Sequence, residues 1–147
     1  MKKVSILGVL VGSVTDVSTS LILGLPFGIY ALSKVDLVHT PKEQLQSAIA
    51  AAMHGNATLY WAQLFVGLLC SVLGGFVAAS IAKRMELLNG ALSSFLCVGL
   101  GVFTVIAGKS FDPIIVQVLL LISSPLMGLA GGYLRLLTVR STPRLST

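Results

Sequence analysis

The hydrophobic positions of this chain fall into four long blocks that are separated by polar connections. The blocks cover residues 4–32, 57–82, 87–108 and 113–134, and each reaches the ~20 residues that a helix needs to cross ~30 Å of hydrocarbon. A membrane-spanning strand would show alternating polarity over about ten residues, whereas these blocks are uniformly apolar and longer. The pattern predicts an all-α polytopic membrane protein whose four transmembrane helices form a tightly packed bundle.

The connection between the first two blocks, residues 33–56, is long enough to hold a helix of its own. Thr40, Pro41 and Glu43 fit an N-cap, a proline at the first helical position and a capping-box glutamate, which predict a short helix through about Met53. This helix is amphipathic and is predicted to lie on the outer membrane surface or to cap the bundle, with docking of a partner as the alternative. Its apolar positions are Leu45, Ala48, Ile49, Ala52 and Met53.

The composition agrees with a membrane protein. Of the 147 residues, 55% are hydrophobic and 10% are charged, whereas soluble domains carry about 25% charged residues. The connections and tails are short, so residues 1–147 are expected to form a single four-helix transmembrane domain. Lys2 and Lys3 before an apolar run imitate a secretory signal, but no Ala-x-Ala cleavage site follows, and we expect a retained first helix.

The charged residues are distributed unequally between the two sides of the predicted bundle. The side with both termini carries seven Lys and Arg against one Glu, and the other side carries three Lys against three acids. The positive-inside rule therefore predicts cytoplasmic N and C termini, in what we expect to be a bacterial inner membrane. The basic excess is explained by topology and could attract anionic lipid headgroups, and it does not indicate nucleic-acid binding. The inner set is Lys2, Lys3, Lys83, Arg84, Glu86, Arg135, Arg140 and Arg144, and the outer set is Lys34, Asp36, Lys42, Glu43, Lys109 and Asp112.

Small residues recur every four positions along the apolar blocks. The series in the first block includes one acid, Asp16, and the block also contains Pro26, which is expected to kink the helix or end it early. Small residues at this spacing let helix backbones approach closely, so they are predicted to pack the bundle, or to face a second copy or a larger membrane complex. The predicted packing positions are Gly8, Gly12, Gly24, Gly28, Gly67, Ser71, Gly74, Gly75, Ala79, Gly128, Gly131 and Gly132.

A layer of polar side chains is predicted at mid-membrane depth. Asp16, Cys70 and Cys97 each lie 13 residues from a basic flank, which is about 20 Å along a helix. No Lys, Arg or His lies at this depth, so loss of hydration favours the neutral form of Asp16. The acid is expected either to donate a hydrogen bond to a neighbouring helix or to bind a proton or cation in a cavity. Serines predicted to accompany it are Ser13, Ser20, Ser123 and Ser124.

The sequence contains none of the patterns that carry common enzymatic chemistry. It has no His-Glu-x-x-His motif, no Gly-x-Ser-x-Gly turn, no phosphate-binding glycine loop and no pair of intramembrane carboxylates, so an enzyme is the least favoured class and no cofactor is expected. His39 and His54 have no second ligand at metal-binding spacing, so no metal site is predicted. Cys70 and Cys97 are interpreted as small packing residues, with a disulfide or metal role as the alternative.

Two resemblances concern the overall plan of the chain. The segment 74–84, Gly-Gly-Phe-Val-Ala-Ala-Ser-Ile-Ala-Lys-Arg, followed by Asn89-Gly90-Ala91, resembles the inner loop of small uncharacterised bacterial four-helix membrane proteins, a family that brings no known activity. The plan of four helices with one acid in the first is also similar to small multidrug-resistance transporters. This chain has Asp where that family uses Glu, a longer outer connection, and a charge asymmetry that argues against dual topology.

Two functional hypotheses follow. The favoured one is a non-enzymatic structural or accessory subunit that docks through its small-residue helix faces against itself or a larger membrane complex, with Asp16 as an interhelical hydrogen-bond donor. The alternative is a small proton- or ion-coupled transporter or channel in which Asp16 changes protonation. One acid and four short helices offer little polar surface within a single copy, which favours the docking role.

Overall fold

Six α-helices and one short 3₁₀ turn make up the described part of the chain. The computed structural model describes residues 4–83, 85–107 and 112–141. In chain order the helices are α1 (Ile6–Ser33), α2 (Leu45–His54), α3 (Ala57–Ala82), α4 (Glu86–Ser93), α5 (Phe95–Ile106) and α6 (Ile114–Ser141), and the 3₁₀ turn covers Lys42–Gln44.

Four segments of this fold are long and apolar enough to cross a membrane. They are α1, α3, the stretch Glu86–Ile106 that contains α4 and α5, and most of α6. Large apolar side chains, among them Leu7, Phe65 and Phe103, are exposed on the outside of the bundle, where lipid would cover them. The predicted all-α bundle with four membrane-spanning segments is confirmed, and helix composition makes the chain a multi-pass membrane protein.

The side of the membrane on which each end of the bundle lies stays a prediction. Following the charge distribution, we use "outer end" for the end of the bundle that carries α2, and "inner end" for the opposite end. Some charges behind this prediction lie outside the described residues, or have a side chain that the structure does not describe. They are Lys2, Lys3, Arg84, Lys109, Arg140 and Arg144.

Helix α1 runs without interruption from the inner to the outer end. The Ser5 hydroxyl caps it by accepting a hydrogen bond from the Gly8 amide over 3.1 Å. The Asn89 side-chain oxygen accepts a hydrogen bond from the Ser5 amide over 2.9 Å, so α4 helps to fix the start of α1. Pro26 lies inside the helix, and the early stop that was one predicted outcome does not occur. Membrane helices tolerate proline because neighbouring groups can satisfy the freed backbone carbonyl.

The outer connection contains the short helix expected there, but the helix begins later than the sequence suggests. Pro41, and not Thr40, precedes the 3₁₀ turn, and no side chain caps it. The Gln44 amide donates to the Pro41 carbonyl over 2.9 Å, a tight turn that delays the start of α2 until Leu45. Helix α2 packs against α1 and α3 and buries Met53.

Glycine contacts hold the inner half of the bundle together. The Cβ position of Gly12 in α1 lies 2.6 Å from the Gly74 carbonyl oxygen in α3. In the same way, Gly75 of α3 faces the Gly128 carbonyl oxygen of α6. A side chain at any of these positions would collide with backbone, so glycine is what permits this helix spacing. Other predicted packing positions that meet a neighbouring backbone are Gly8, Gly131 and Gly132, and Ala79 is buried.

The third membrane segment is a single apolar span, as predicted, but its helix is divided in two at one residue. Helix α4 ends at Ser93 and α5 begins after Ser94. The Ser93 hydroxyl bonds back to the Gly90 carbonyl over 2.7 Å, and the Ser13 hydroxyl donates to the Ser93 carbonyl over 2.6 Å. Serine hydroxyls that compete for backbone groups weaken a helix, which accounts for the position of the break. Helix α4 packs against α1, α3 and α6, whereas α5 buries none of its residues.

Three of the predicted packing glycines do not face another helix of this chain. No described atom of a neighbouring helix lies within 4 Å of the position that a Cβ would take at Gly24, Gly28 or Gly67. The close glycine contacts lie towards the inner end, and in the outer half the helices surround a cavity. The four-residue spacing therefore marks positions where helices can approach, and tertiary structure decides which of them do.

Candidate functional site

Asp16 is the buried acid of the bundle. Its side chain is 1% exposed and lies where α3 and α5 meet α1. Ser71 Oγ donates to Asp16 Oδ2 over 3.0 Å, and Cys97 Sγ donates to the same oxygen over 3.3 Å. The carboxyl group is therefore held by two other helices, and Oδ2 is the acceptor in both hydrogen bonds.

A third helix joins this network through a hydroxyl. Ser71 Oγ and Ser124 Oγ of α6 are 3.4 Å apart. Because a serine hydroxyl has one proton and Ser71 gives it to Asp16, Ser124 is the donor in this pair. The other carboxyl oxygen, Asp16 Oδ1, is buried and has no hydrogen-bond partner among the described residues. Oδ2 is thus bonded to two neighbouring helices, whereas Oδ1 lacks a partner within hydrogen-bond distance in the described part of the chain.

An open-sided cavity of about 360 Å³ reaches Asp16 from the outer half of the bundle. Ser20, Ser71, Cys97 and Ser124 line it beside the acid. Farther along α3, α5 and α6, towards their outer ends, the lining residues are Gln63, Thr104, Asp112 and Gln117. The walls between these two polar ends are mostly apolar and include Leu64, Leu68, Val98, Val105, Leu120 and Leu121. The cavity is therefore polar at its outer part and beside Asp16, and apolar between them.

Both charged groups that line the cavity, among the described residues, are acidic. Asp16 and Asp112 both line it, and no Lys, Arg or His is found among the described lining residues. Acidic groups in a cleft with apolar walls attract cations and repel anions. In the described part of the chain no three His, Cys, Asp or Glu side chains come together as a metal site. The lining favours a proton or a cation held by carboxyl and hydroxyl oxygens.

Asp112 connects the outer end of α6 to the corner between α2 and α3. Tyr60 Oη donates to Asp112 Oδ1 over 2.9 Å, and His54 Nε2 lies 3.2 Å from the same oxygen. The His54 and Tyr60 rings are in contact, with centroids 4.7 Å apart and planes tilted by 34°. The side-chain amide of Gln117 donates to the Asp112 backbone carbonyl. We call His54, Tyr60 and Asp112 the outer cluster.

The structure brings together some, but not all, of the side chains predicted for the site. Ser20 and Ser124 line the cavity with Asp16. Ser13 instead donates to the Ser93 carbonyl, and Ser123 lines a separate apolar groove between α3 and α6. Both cysteines are free: Cys97 contacts Asp16, and Cys70 is buried beside Ser71. Ser123 and Ser124 are adjacent on α6 but face different sides of the helix. Counting residues from the basic flank gives their depth in the membrane and not the side that they face.

The sequence reasoning missed the outer part of the cavity. Gln63 and Gln117 are amides within otherwise apolar blocks, and this polarity was the signal that could have indicated a lined passage. In the sequence, Asp112 indicates only the charge of the outer side, and His54 has no second residue at metal-binding spacing. Their pairing depends on how the α2–α3 corner meets α6, which residue spacing does not specify.

Comparison with known proteins adds no assignment. No family model, no curated protein and no solved structure matches this chain. Helix composition defines the class, a small multi-pass membrane protein, and the cavity at Asp16 is the feature that bears on its function.

Proposed function

We propose that this protein is a small proton- or cation-coupled membrane transporter in which Asp16 is the binding group. The observation that carries the proposal is the unpaired Oδ1 of a fully buried carboxyl at the end of an open cavity. An ionisable group inside a membrane protein is costly, and it is usually kept for a pathway or a relay.

The hydrogen bonds around Asp16 suit this role. Ser71 and Cys97 both bind Oδ2, so the carboxyl plane is held while Oδ1 exchanges its proton or cation with the cavity. Ser20 and Ser124 supply further oxygens nearby. Preorganised oxygens that replace water around a small cation reduce the free-energy penalty of moving it into the bundle.

The interrupted third segment also supports transport. Discontinuous helices are common at transporter binding sites. Here the discontinuity is local, because the backbone of Ser94 stays in the right-handed helical region. The break at Ser94 lies one helical turn from Cys97, whose thiol donates a hydrogen bond to Asp16. Glycine contacts close the inner half of the bundle, so a bound ion can reach the inner side only if helices move. Helix α5 buries none of its residues, so its movement would break few contacts.

The test compares Asp16→Asn with Asp36→Asn, an exposed acid in the outer connection. Each full-length protein is reconstituted in liposomes, a potassium diffusion potential is set with valinomycin, and proton entry is followed with an encapsulated pH dye, with and without external sodium. We expect Asp36→Asn to match the wild type and Asp16→Asn to lose at least about tenfold of the flux, since removing a charge-binding group costs more than 1.4 kcal/mol. Equal flux in the two variants, or none in the wild type, would overturn the proposal.

An accessory subunit, which the sequence favours, is the second candidate. One observation supports it: no described atom lies within 4 Å of the position that a Cβ would take at Gly24 or Gly28 on α1, which leaves a face that a second copy or another membrane protein could cover. Most of the other small residues are already used within the chain, which leaves less surface for docking than the sequence suggests. Gly28→Leu should then abolish association in chemical cross-linking, while Asp16→Asn keeps it. Association that survives Gly28→Leu would count against this role.

A further inference from the structure

We infer that the Asp16 cavity binds a linear organic amine, with an ammonium group at Asp16, a second amino group at Gln117 and an alkyl chain between them. The inference rests on the proposed function, because it names the substrate class of the same cavity. It narrows the cation to an organic one and adds Gln117 as a binding residue.

Two buried oxygen atoms of the cavity lining have no hydrogen-bond donor among the described residues. They are Asp16 Oδ1 and Gln117 Oε1. Ser94 Oγ is also buried without a described partner, but Ser94 does not line the cavity. A buried acceptor that lacks a donor is costly, and a ligand that donates a hydrogen bond at each end removes that cost. The cavity therefore fits a ligand with two donor groups.

The Gln117 amide is oriented by its contact with the outer cluster. Its Nε2 atom donates to the backbone carbonyl of Asp112, which can only accept, so the nitrogen lies on that side and Oε1 on the other. The Tyr60 hydroxyl donates to the Asp112 carboxyl over 2.9 Å and holds this corner in place. The outer acceptor, Gln117 Oε1, is thus held in a defined direction.

The acceptor at the inner end, Asp16 Oδ1, calls for a positively charged group. Asp16 is 1% exposed, and no Lys, Arg or His lines the cavity among the described residues. A buried carboxylate without a positive partner is costly, and an ammonium group supplies that partner with three N–H donors. One donor reaches Asp16 Oδ1. The hydroxyl oxygens of Ser20 and Ser124, which line the cavity beside the acid, can accept the other two.

The walls between the two acceptors favour an organic ligand over a bare metal ion. A metal cation inside a protein is surrounded by oxygen atoms that replace its hydration shell. Here the side chains between the two acceptors are aliphatic, among them Leu68, Val98 and Leu121, and they would pack against an alkyl chain. The cavity volume of about 360 Å³ is typical of small-molecule sites, which are mostly apolar with a few polar groups.

The length of the ligand follows from the spacing of the two acceptors. Ser124, which is linked to Asp16 through Ser71, lies seven residues after Gln117 on α6. That spacing is about 10 Å along the helix, and the Gln117 side chain reaches about 4 Å farther outward to the Asp112 carbonyl. Hydrogen bonds of about 2.8 Å at each end leave roughly 8–9 Å between the two nitrogens, the span of about six methylene groups.

The test measures amine binding to the purified full-length protein in maltoside micelles by isothermal titration calorimetry, with empty micelles as the blank. The probes are 1,6-diaminohexane, hexylamine, which has the same chain and one ammonium group, and 1,3-diaminopropane, which is too short to reach both acceptors. We expect 1,6-diaminohexane to bind about tenfold more tightly than either of the others, the effect of one additional charge-assisted hydrogen bond.

Variants separate the two ends of the cavity. Gln117→Met removes the outer acceptor at similar size and should make 1,6-diaminohexane bind no better than hexylamine. Gln117→Glu retains an acceptor and should keep the preference for the diamine. Asp16→Asn should weaken both amines by at least about tenfold. Gln46→Met, at an exposed glutamine of α2, should leave all affinities unchanged.

Hexylamine also reports on folding, because it needs only Asp16 and should bind Gln117→Met as it binds the wild type. Equal wild-type affinity for 1,6-diaminohexane and hexylamine, no binding of either, or a preference that survives in Gln117→Met would overturn the inference. Proton flux in liposomes is measured separately. Flux without amine binding removes this inference and leaves the transporter, whereas amine binding without flux leaves the amine site and removes the transporter.

Discussion

The Ser13 hydroxyl of α1 donates a hydrogen bond of 2.6 Å to the backbone carbonyl of Ser93, at the point where the third membrane segment breaks. A backbone carbonyl without a partner is costly inside a membrane, because no water is there to replace the missing hydrogen bond. Ser13 was predicted to accompany Asp16 at the site, but its hydroxyl lies between the Ser93 carbonyl and the Val9 carbonyl of its own helix, which is 2.8 Å away, and it ties α1 to the segment around Ser94.

Ser13→Ala should therefore destabilise the fold by about 1 kcal/mol, the usual size of an interhelical hydrogen bond in a membrane protein. Unfolding of the detergent-solubilised protein by sodium dodecyl sulfate, followed by circular dichroism, measures the change. Thr15→Ala is the matched control, because the Thr15 hydroxyl bonds to the Val11 carbonyl of its own helix on the exposed side. Equal stability of the two variants would contradict this account of Ser13.

Gly75→Ala should severely disrupt the fold, because the new methyl group would collide with the Gly128 backbone, which cannot move aside as a flexible side chain can. Overpacking usually costs about 1–3 kcal/mol, and a backbone collision lies at or above the upper end of that range. Gly28→Ala, which meets open space, should be neutral or gain up to about 1 kcal/mol from the better helix propensity of alanine. Thermal aggregation in detergent, monitored by size-exclusion chromatography, compares the two variants. A stable Gly75→Ala variant would show that α3 and α6 are not packed this closely.

Ser71→Ala should slow flux through Asp16 about fivefold, since it removes one of the two donors to Oδ2 and breaks the link to Ser124. The liposome assay used for Asp16→Asn measures the effect. Ser80→Ala on the same helix is the control, because the Ser80 hydroxyl bonds to the Phe76 carbonyl of α3 itself. Loss of flux in Ser80→Ala as well would indicate general damage to α3.

The hydrogen bond from His39, with those from the Val38 and His39 amides, holds the pKa of Asp36 below its ordinary value of 3.8. His39→Ala should raise this pKa towards 3.8, which NMR titration of the Asp36 carboxyl carbon can follow. A lowered carboxyl pKa stabilises the fold above the unfolded-state pKa, and that contribution is lost as the pH falls through the folded-state value. Asp36 is fully exposed, so water screens this contribution, and Asp36→Asn should change the unfolding midpoint very little at neutral pH. A shifted midpoint would disqualify it as the control for Asp16.

The sequence predicts the parts of this protein that depend on one helix at a time. Block length and polarity identify the membrane segments, and rise per residue places Asp16 and Cys97 at one depth, where the structure joins them by a hydrogen bond. The sequence does not predict how each helix is rotated about its own axis, because that rotation depends on all the helices packed around it. The spacing that places Gly12 in a helix contact therefore leaves Gly28 open.

Contacts between distant segments were also beyond the sequence. His54 and Asp112 are 58 positions apart, and nothing in either local pattern indicates that they meet. The break at Ser94 has a local contribution from paired serines, but hydroxyls within membrane helices often bond to their own helix without interrupting it, as Thr15 does here. Whether a helix breaks depends on the partner that another helix offers.

The interruption at Ser94 also divides the molecule into zones of different local stability. Backbone amides of α4 are enclosed by three other helices, while those of α5 have one face without protein cover. Local opening requires less free energy where fewer contacts are broken, so amide hydrogens of α5 should exchange with deuterium well before those of α4. A membrane segment that is continuous by hydropathy would then unfold locally in two stages, and α5, the half that lines the cavity, would open first.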